Sequence, residues 1–139
     1  MVHALNEIHR VLAPDGILID LRPLLDRWPL EVVSSGKVQE AGRVTDLVEP
    51  LSDDQAADQA VAEIGKRGWF VRKREETFPF FYYWDTPKEM QEYISETWYD
   101  VINIDDKLWN DLRSLWAISN TDARVRIRLK MLIVRWKKT

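Results

Sequence analysis

The strictest pattern in this chain lies near its C-terminus, where Val125, Ile127, Leu129, Met131 and Ile133 alternate with Arg124, Arg126, Arg128, Lys130 and Leu132. Successive side chains of a strand point to opposite faces, so a period-two run of this length reads as a strand with one apolar and one largely basic face. The apolar face needs a core. The basic face needs an acidic partner across the sheet, a helix covering it with Asp and Glu, or phosphates from outside.

The rest of the chain supplies elements of both kinds. Leu5, Ile8 and Leu12 recur at helical spacing over residues 4 to 12, and Pro14-Asp15-Gly16 ends that helix in a turn. Gly16 to Pro23 is a short, nearly continuous apolar run, the pattern of a strand buried on both faces of a parallel sheet. Residues 31 to 44 read as a hairpin turning at Ser35-Gly36-Lys37. Ser52 and Gln55 form a capping-box start for a helix over 53 to 66, whose face holds Ala57, Ala60, Val61 and Ile64. Trp69 to Trp84 reads as extended, with Pro79 arguing for an edge or a bulge. Thr86-Pro87-Lys88-Glu89 is a helix start, with Met90, Tyr93, Ile94 and Trp98 on one face. A further helix follows Asp105, carrying Leu108, Trp109, Leu112, Leu115 and Trp116.

With 139 residues the chain has the size of a single domain, spanning 1 to 139. It has no cysteine for disulfides, no apolar run long enough to span a bilayer and no signal-peptide plan at its N-terminus. The expectation is a soluble, cytoplasmic protein without membrane association. Residues 122 to 139 hold seven of the twenty Lys and Arg but one of the twenty-three Asp and Glu. Packing of opposite charges within the fold is preferred over nucleic-acid binding, because the chain as a whole is acidic, with a net charge of −3.

The segment from Ala4 to Asp20, with Arg10-Val11-Leu12 followed by Pro14-Asp15-Gly16 and an apolar strand, resembles the helix, turn and fifth strand of class I methyltransferases that use S-adenosylmethionine (SAM). Asp15 replaces a glycine of that family's turn, and Asp tolerates the left-handed conformation. The resemblance extends loosely over the whole chain as the C-terminal half of that fold. It implies an α/β, partial Rossmann-like methyltransferase fold: a small mixed sheet, with a parallel central strand and antiparallel C-terminal strands, flanked by helices. SAM is the family's cofactor, held by a Gly-rich turn and an acidic strand end in the other half. Gly16, Gly36, Gly42, Gly65 and Gly68 form no such turn, so no SAM site is expected in this chain by itself.

Candidate chemistry is sparse. Asp20 and Arg22 close the strand at the edge where substrate approaches in the implied fold, although a local ion pair is the preferred account of them. Phe81, Tyr83 and Trp84 belong to a run in which residues 78 to 84 hold six of the fifteen aromatics, fit to line a pocket but preferentially read as packing. His3 and His9 lack the spacing of metal ligands, Ser34 and Ser35 precede a hairpin glycine and form no nucleophile elbow, and no catalytic residue is assigned. The leading expectation is a methyltransferase-like, non-catalytic homodimer or binding module. The alternatives are one chain of a methyltransferase whose SAM-binding half is a separate chain, and a remnant without an independent role.

Overall fold

The computed structural model describes residues 1–24, 27–44, 46–47 and 50–139, with side chains omitted for 46, 47 and 50–54. In chain order the elements are α1 (Val2–Val11), β1 (Ile17–Pro23), β2 (Pro29–Ser34), β3 (Lys37–Arg43), β4 (Asp46–Leu47), α2 (Pro50–Lys66), β5 (Phe70–Trp84), α3 (Pro87–Thr97), β6 (Ile102–Asn103), α4 (Asp106–Ala117) and β7 (Arg124–Lys138). They form two compact units. The first contains residues 1–24, 51–78 and 131–139, and the second residues 25–50 and 79–130. Among the described residues no helix is long and apolar enough to cross a membrane.

In the first unit β1 pairs antiparallel with β7, from Ile17↔Lys137 to Pro23↔Met131. Ile64, Phe70, Leu132, Val134 and Trp136 form its core, with Leu5, Ile8 and Leu12 of α1 and Leu18 of β1 packed against them. The turn into β1 places Asp15 at φ 64°, the left-handed conformation expected there. Gly16 follows because a Cβ at that position would lie 2.8 Å from the Ala13 carbonyl oxygen. Lys138 closes the unit by donating from Nζ to the carbonyls of His9 and Leu12 at 2.6 and 2.8 Å, satisfying the orphan end of α1 with a cation.

The second unit is built on the hairpin of β2 and β3, antiparallel with a register shift at Leu30/Glu31. β2 also pairs antiparallel with the start of β7, from Leu30↔Ile127 to Val33↔Arg124, and β4 with β6. α4 packs on β2 and β3, and α3 packs on α4. Both helices start as expected: Thr86 accepts the Glu89 N–H at 3.2 Å while Glu89 accepts the Asp85 N–H, and Asp105 accepts the Leu108 N–H at 2.7 Å. Ser52 lies inside α2, and its expected capping side chain falls outside the described residues.

The expected partial Rossmann-like arrangement does not hold. β1 was to be a central parallel strand buried on both faces. Instead it pairs antiparallel, among the described residues with β7 alone, and every pairing with a described register is antiparallel. Its side chains alternate between exposed and half-buried. An apolar run has no periodicity with which to tell a doubly buried strand from an end strand with one uncovered face, and here the latter forms. The expected alternation of β7 also changes phase. Val125, Ile127 and Leu129 are buried, but beyond Lys130 the buried set becomes Leu132, Val134 and Trp136. Met131 and Ile133, expected in the core, are half-buried.

The hairpin turn is clamped from outside. Ser35 and Gly36 have φ of 51° and 73°, the pair of positive values that a two-residue turn matching the strand twist requires. Asp122 holds the non-glycine member, accepting the Ser35 N–H at 2.8 Å and the Ser34 hydroxyl at 3.0 Å. The Ser35 backbone and Ser34 hydroxyl bonds keep the Asp122 carboxyl below its usual value. A carboxylate with a depressed folded pKa contributes stability above its unfolded value, about 4, that is lost as pH falls through the folded value. We therefore expect the Ser35 amide resonance to titrate below about pH 4, and Asp122→Asn to abolish that step, as read by NMR.

Candidate functional site

The residues singled out from sequence divide between the two units: Asp20 and Arg22 belong to the first, Phe81, Tyr83 and Trp84 to the second. β1 turns Leu18, Asp20 and Arg22 toward the core side and Ile17, Ile19 and Leu21 away from it. Arg22 Nη2 lies 2.7 Å from Asp58 of α2, and Arg22 Nε lies 3.5 Å from Asp20. With Arg72 and Glu75, which pair at 2.7 Å, these residues rim a cleft of about 470 Å³ floored by Leu132, Val134 and Trp136. The strand end is thus a local ion-pair cluster. Its charges are opposed within the cleft, where Asp20 Oδ2 and Arg22 Nε are buried and make no hydrogen bond.

The aromatic run of β5 splits by strand alternation. Tyr82 and Trp84 meet Tyr93 of α3 and Trp98 at its end, with Tyr82 and Trp98 edge to face at 4.8 Å and Trp84 and Tyr93 at 5.4 Å. Phe81 and Tyr83 face the basic stripe of β7. Arg126 sits over the Phe81 ring at 4.3 Å and donates to the Tyr83 hydroxyl at 2.8 Å, while Arg124 lies over the Tyr83 ring at 4.9 Å.

Glu31 organises that face, and it was not among the sequence candidates. It is 2% exposed and stands opposite Arg126 in the β2–β7 register. Arg126 donates Nε and Nη2 to Glu31 Oε2 at 3.0 and 2.7 Å, and Arg128 donates Nε to Oε1 at 2.7 Å. Burial alone would favour a neutral Arg126, but the bonds to Glu31 and Tyr83 outweigh it, and the pKa of Arg126 is raised. Arg124 pairs with Asp85 at 3.0 Å. Three arginines of the stripe therefore have acidic partners inside the fold, Glu31 on the neighbouring strand and Asp85 just after β5, where cross-strand pairs or an acidic covering helix were preferred from sequence over phosphates. The signal for Glu31 was present as a lone acid inside the apolar strand Pro29-Leu30-Glu31-Val32-Val33.

Gly16 precedes β1, Gly36 is in the hairpin turn, Gly42 is in β3 against Leu108, Gly65 is in α2 and Gly68 follows it, so none closes a strand-to-helix turn. Among the described residues no group of His, Cys, Asp and Glu could hold a metal ion. What the first unit does display is the outward side of β1, where Ile17, Ile19 and Leu21 are 46%, 51% and 55% exposed. Comparison with protein-family models, curated proteins and solved structures found no match to this chain.

The buried fork gives a graded expectation. Glu31→Ala leaves Arg126 in a partly buried site without its partner and should lower unfolding stability by about 3 kcal/mol or more. Arg128, with its side chain 43% exposed, should cost at most about 1 kcal/mol when changed to Ala. Urea denaturation of both variants checks the order.

Proposed function

We propose that this chain is a non-catalytic, methyltransferase-like binding module that works by presenting β1 to another polypeptide. The observation that carries this reading is the row of large apolar side chains, Ile17, Ile19 and Leu21, standing half exposed on an end strand whose second edge has no pairing among the described residues. An unpaired edge is a template for another strand, and an apolar row beside it supplies the area that makes pairing favourable. A homodimer uses one self-complementary patch and is the preferred form. Sedimentation equilibrium across micromolar concentrations should yield twice the 16.4 kDa chain mass. Ile19→Lys should shift the protein to monomer with its circular dichroism unchanged, and a wild-type monomer throughout would refute the reading.

A second reading is supported by the folded form of the Arg10 to Asp20 segment, a helix, a left-handed Asp15 and a strand in the order that the methyltransferase resemblance implies. In it, β1 pairs with a separate chain that binds SAM, and this chain supplies no cofactor contact itself. Calorimetry should detect no micromolar binding of SAM to the pure chain under either reading. Binding that develops only when a second chain is added would favour the split enzyme.

A further inference from the structure

If β1 is the working edge, its backbone also selects the partner and the register. Lys138 donates its N–H to the Gly16 carbonyl at 2.8 Å, and the β1–β7 register continues unshifted to Pro23↔Met131. In an antiparallel ladder each residue's N–H and C=O point to one side, and the side alternates along the strand. Gly16, Leu18, Asp20 and Arg22 therefore turn their carbonyls toward β7. Ile17, Ile19 and Leu21 turn both N–H and C=O outward, and Pro23 offers only a carbonyl. The three residues with outward backbone groups are the same three with exposed apolar side chains.

Two longer strands that also end a pairing order, β3 and β5, are guarded. β3 carries Lys37, Glu40 and Arg43, and β5 carries Lys73, Glu75 and Pro79, the charges and proline that deter edge-to-edge association. The outward positions of β1 before Pro23 hold no charge.

We propose that the occupant of this edge is a second copy of the chain, with the two β1 strands antiparallel about a two-fold axis at Ile19. In that register Ile19 faces its own copy and Ile17 faces Leu21, so every outward N–H and C=O of the three residues finds a partner. The apolar row then runs unbroken across the axis. Competing two-fold registers are worse. Moving the axis to Asp20 sets two carboxylates against each other and places Ile17 opposite Pro23, while moving it to Leu21 places Ile19 opposite Pro23, which has no N–H to give. Moving it to Leu18 sets Leu21 opposite Asp15, which is in the left-handed turn and not in the strand.

The chain has no cysteine, so single-cysteine variants report the register. Directly opposed residues have Cβ atoms about 4.5–5.5 Å apart and diagonal ones about 7 Å, and a disulfide needs about 4 Å, which only the opposed pair approaches. Ile19→Cys, Asp20→Cys and Leu21→Cys are each oxidised with diamide and run on non-reducing gels, with wild-type sedimentation in parallel. The expected result is a band at twice the chain mass for Ile19→Cys, at least tenfold stronger than for the other two. Ile17→Cys mixed with Leu21→Cys should also cross-link, and this pair serves if Asp20→Cys fails to fold. Strongest cross-linking at 20 or 21 overturns the register. A sedimenting dimer that none of these variants cross-links overturns pairing through β1. A wild-type monomer overturns the underlying docking reading.

Discussion

The structure depends on one strand serving two cores with opposite parity. Along β7 the odd-numbered residues Val125, Ile127 and Leu129 are buried in the second unit, and the even-numbered Leu132, Val134 and Trp136 are buried in the first. Odd and even residues of a strand face opposite ways, so the buried face of β7 changes between Leu129 and Leu132. Two consequences follow on the residues before and after it. In the second unit the even positions are left to the arginines, which require acidic and aromatic neighbours. In the first unit the odd positions Met131 and Ile133 lie across from Pro23 and Leu21 on the uncovered side of β1. The exposed row on β1 is the counterpart of a core that takes the other face.

The fork on Glu31 solves the problem that the arginines pose. A carboxylate at 2% exposure is tolerable only because three guanidinium hydrogen bonds reach its two oxygens. A slip of β2 by one residue would carry Glu31 away from Arg126 and bring Leu30 or Val32 opposite it, so the ion pair disfavours alternative registers as well as holding its own. Phe81 and Tyr83 complete the enclosure by covering Arg126 with ring faces and one hydroxyl. The aromatic run, read as packing or as a platform for a planar ligand, packs in this way on an arginine of its own chain.

Local chemistry was the legible part of this sequence. The Thr86 and Asp105 caps, the Asp15 turn and the Ser35-Gly36 hairpin are each set by a few neighbouring residues, and their geometry follows from those residues. The acidic partners of the stripe were anticipated as a class, although Glu31 itself was not. Strand direction and neighbours were not legible, because the short, nearly continuous apolar run around Asp20 fits a doubly buried parallel strand as well as an end strand. The change of buried face along β7 was hidden for a similar reason. From Met131 to Val134 all four residues are apolar, so the pattern carries no parity over the residues where parity changes.

The two functional readings compete for one physical resource. A strand edge accepts one strand, so a copy of this chain paired at Ile17, Ile19 and Leu21 excludes any other chain from the same hydrogen-bonding groups. The outcome is then a matter of mass action: self-pairing weakens the apparent affinity of a different partner by the fraction of edges left free, and the dimer drains once that partner exceeds this weakened apparent dissociation constant. The cleft at Asp20 and Arg22 opens on the opposite side of β1 from the apolar row, because neighbouring residues of a strand face opposite ways. Occupation of the edge therefore leaves that ion-pair cluster in place under either reading. Chemistry there would depend on what the second chain contributes beside it, which separates the identity of the partner from the integrity of this chain's own fold.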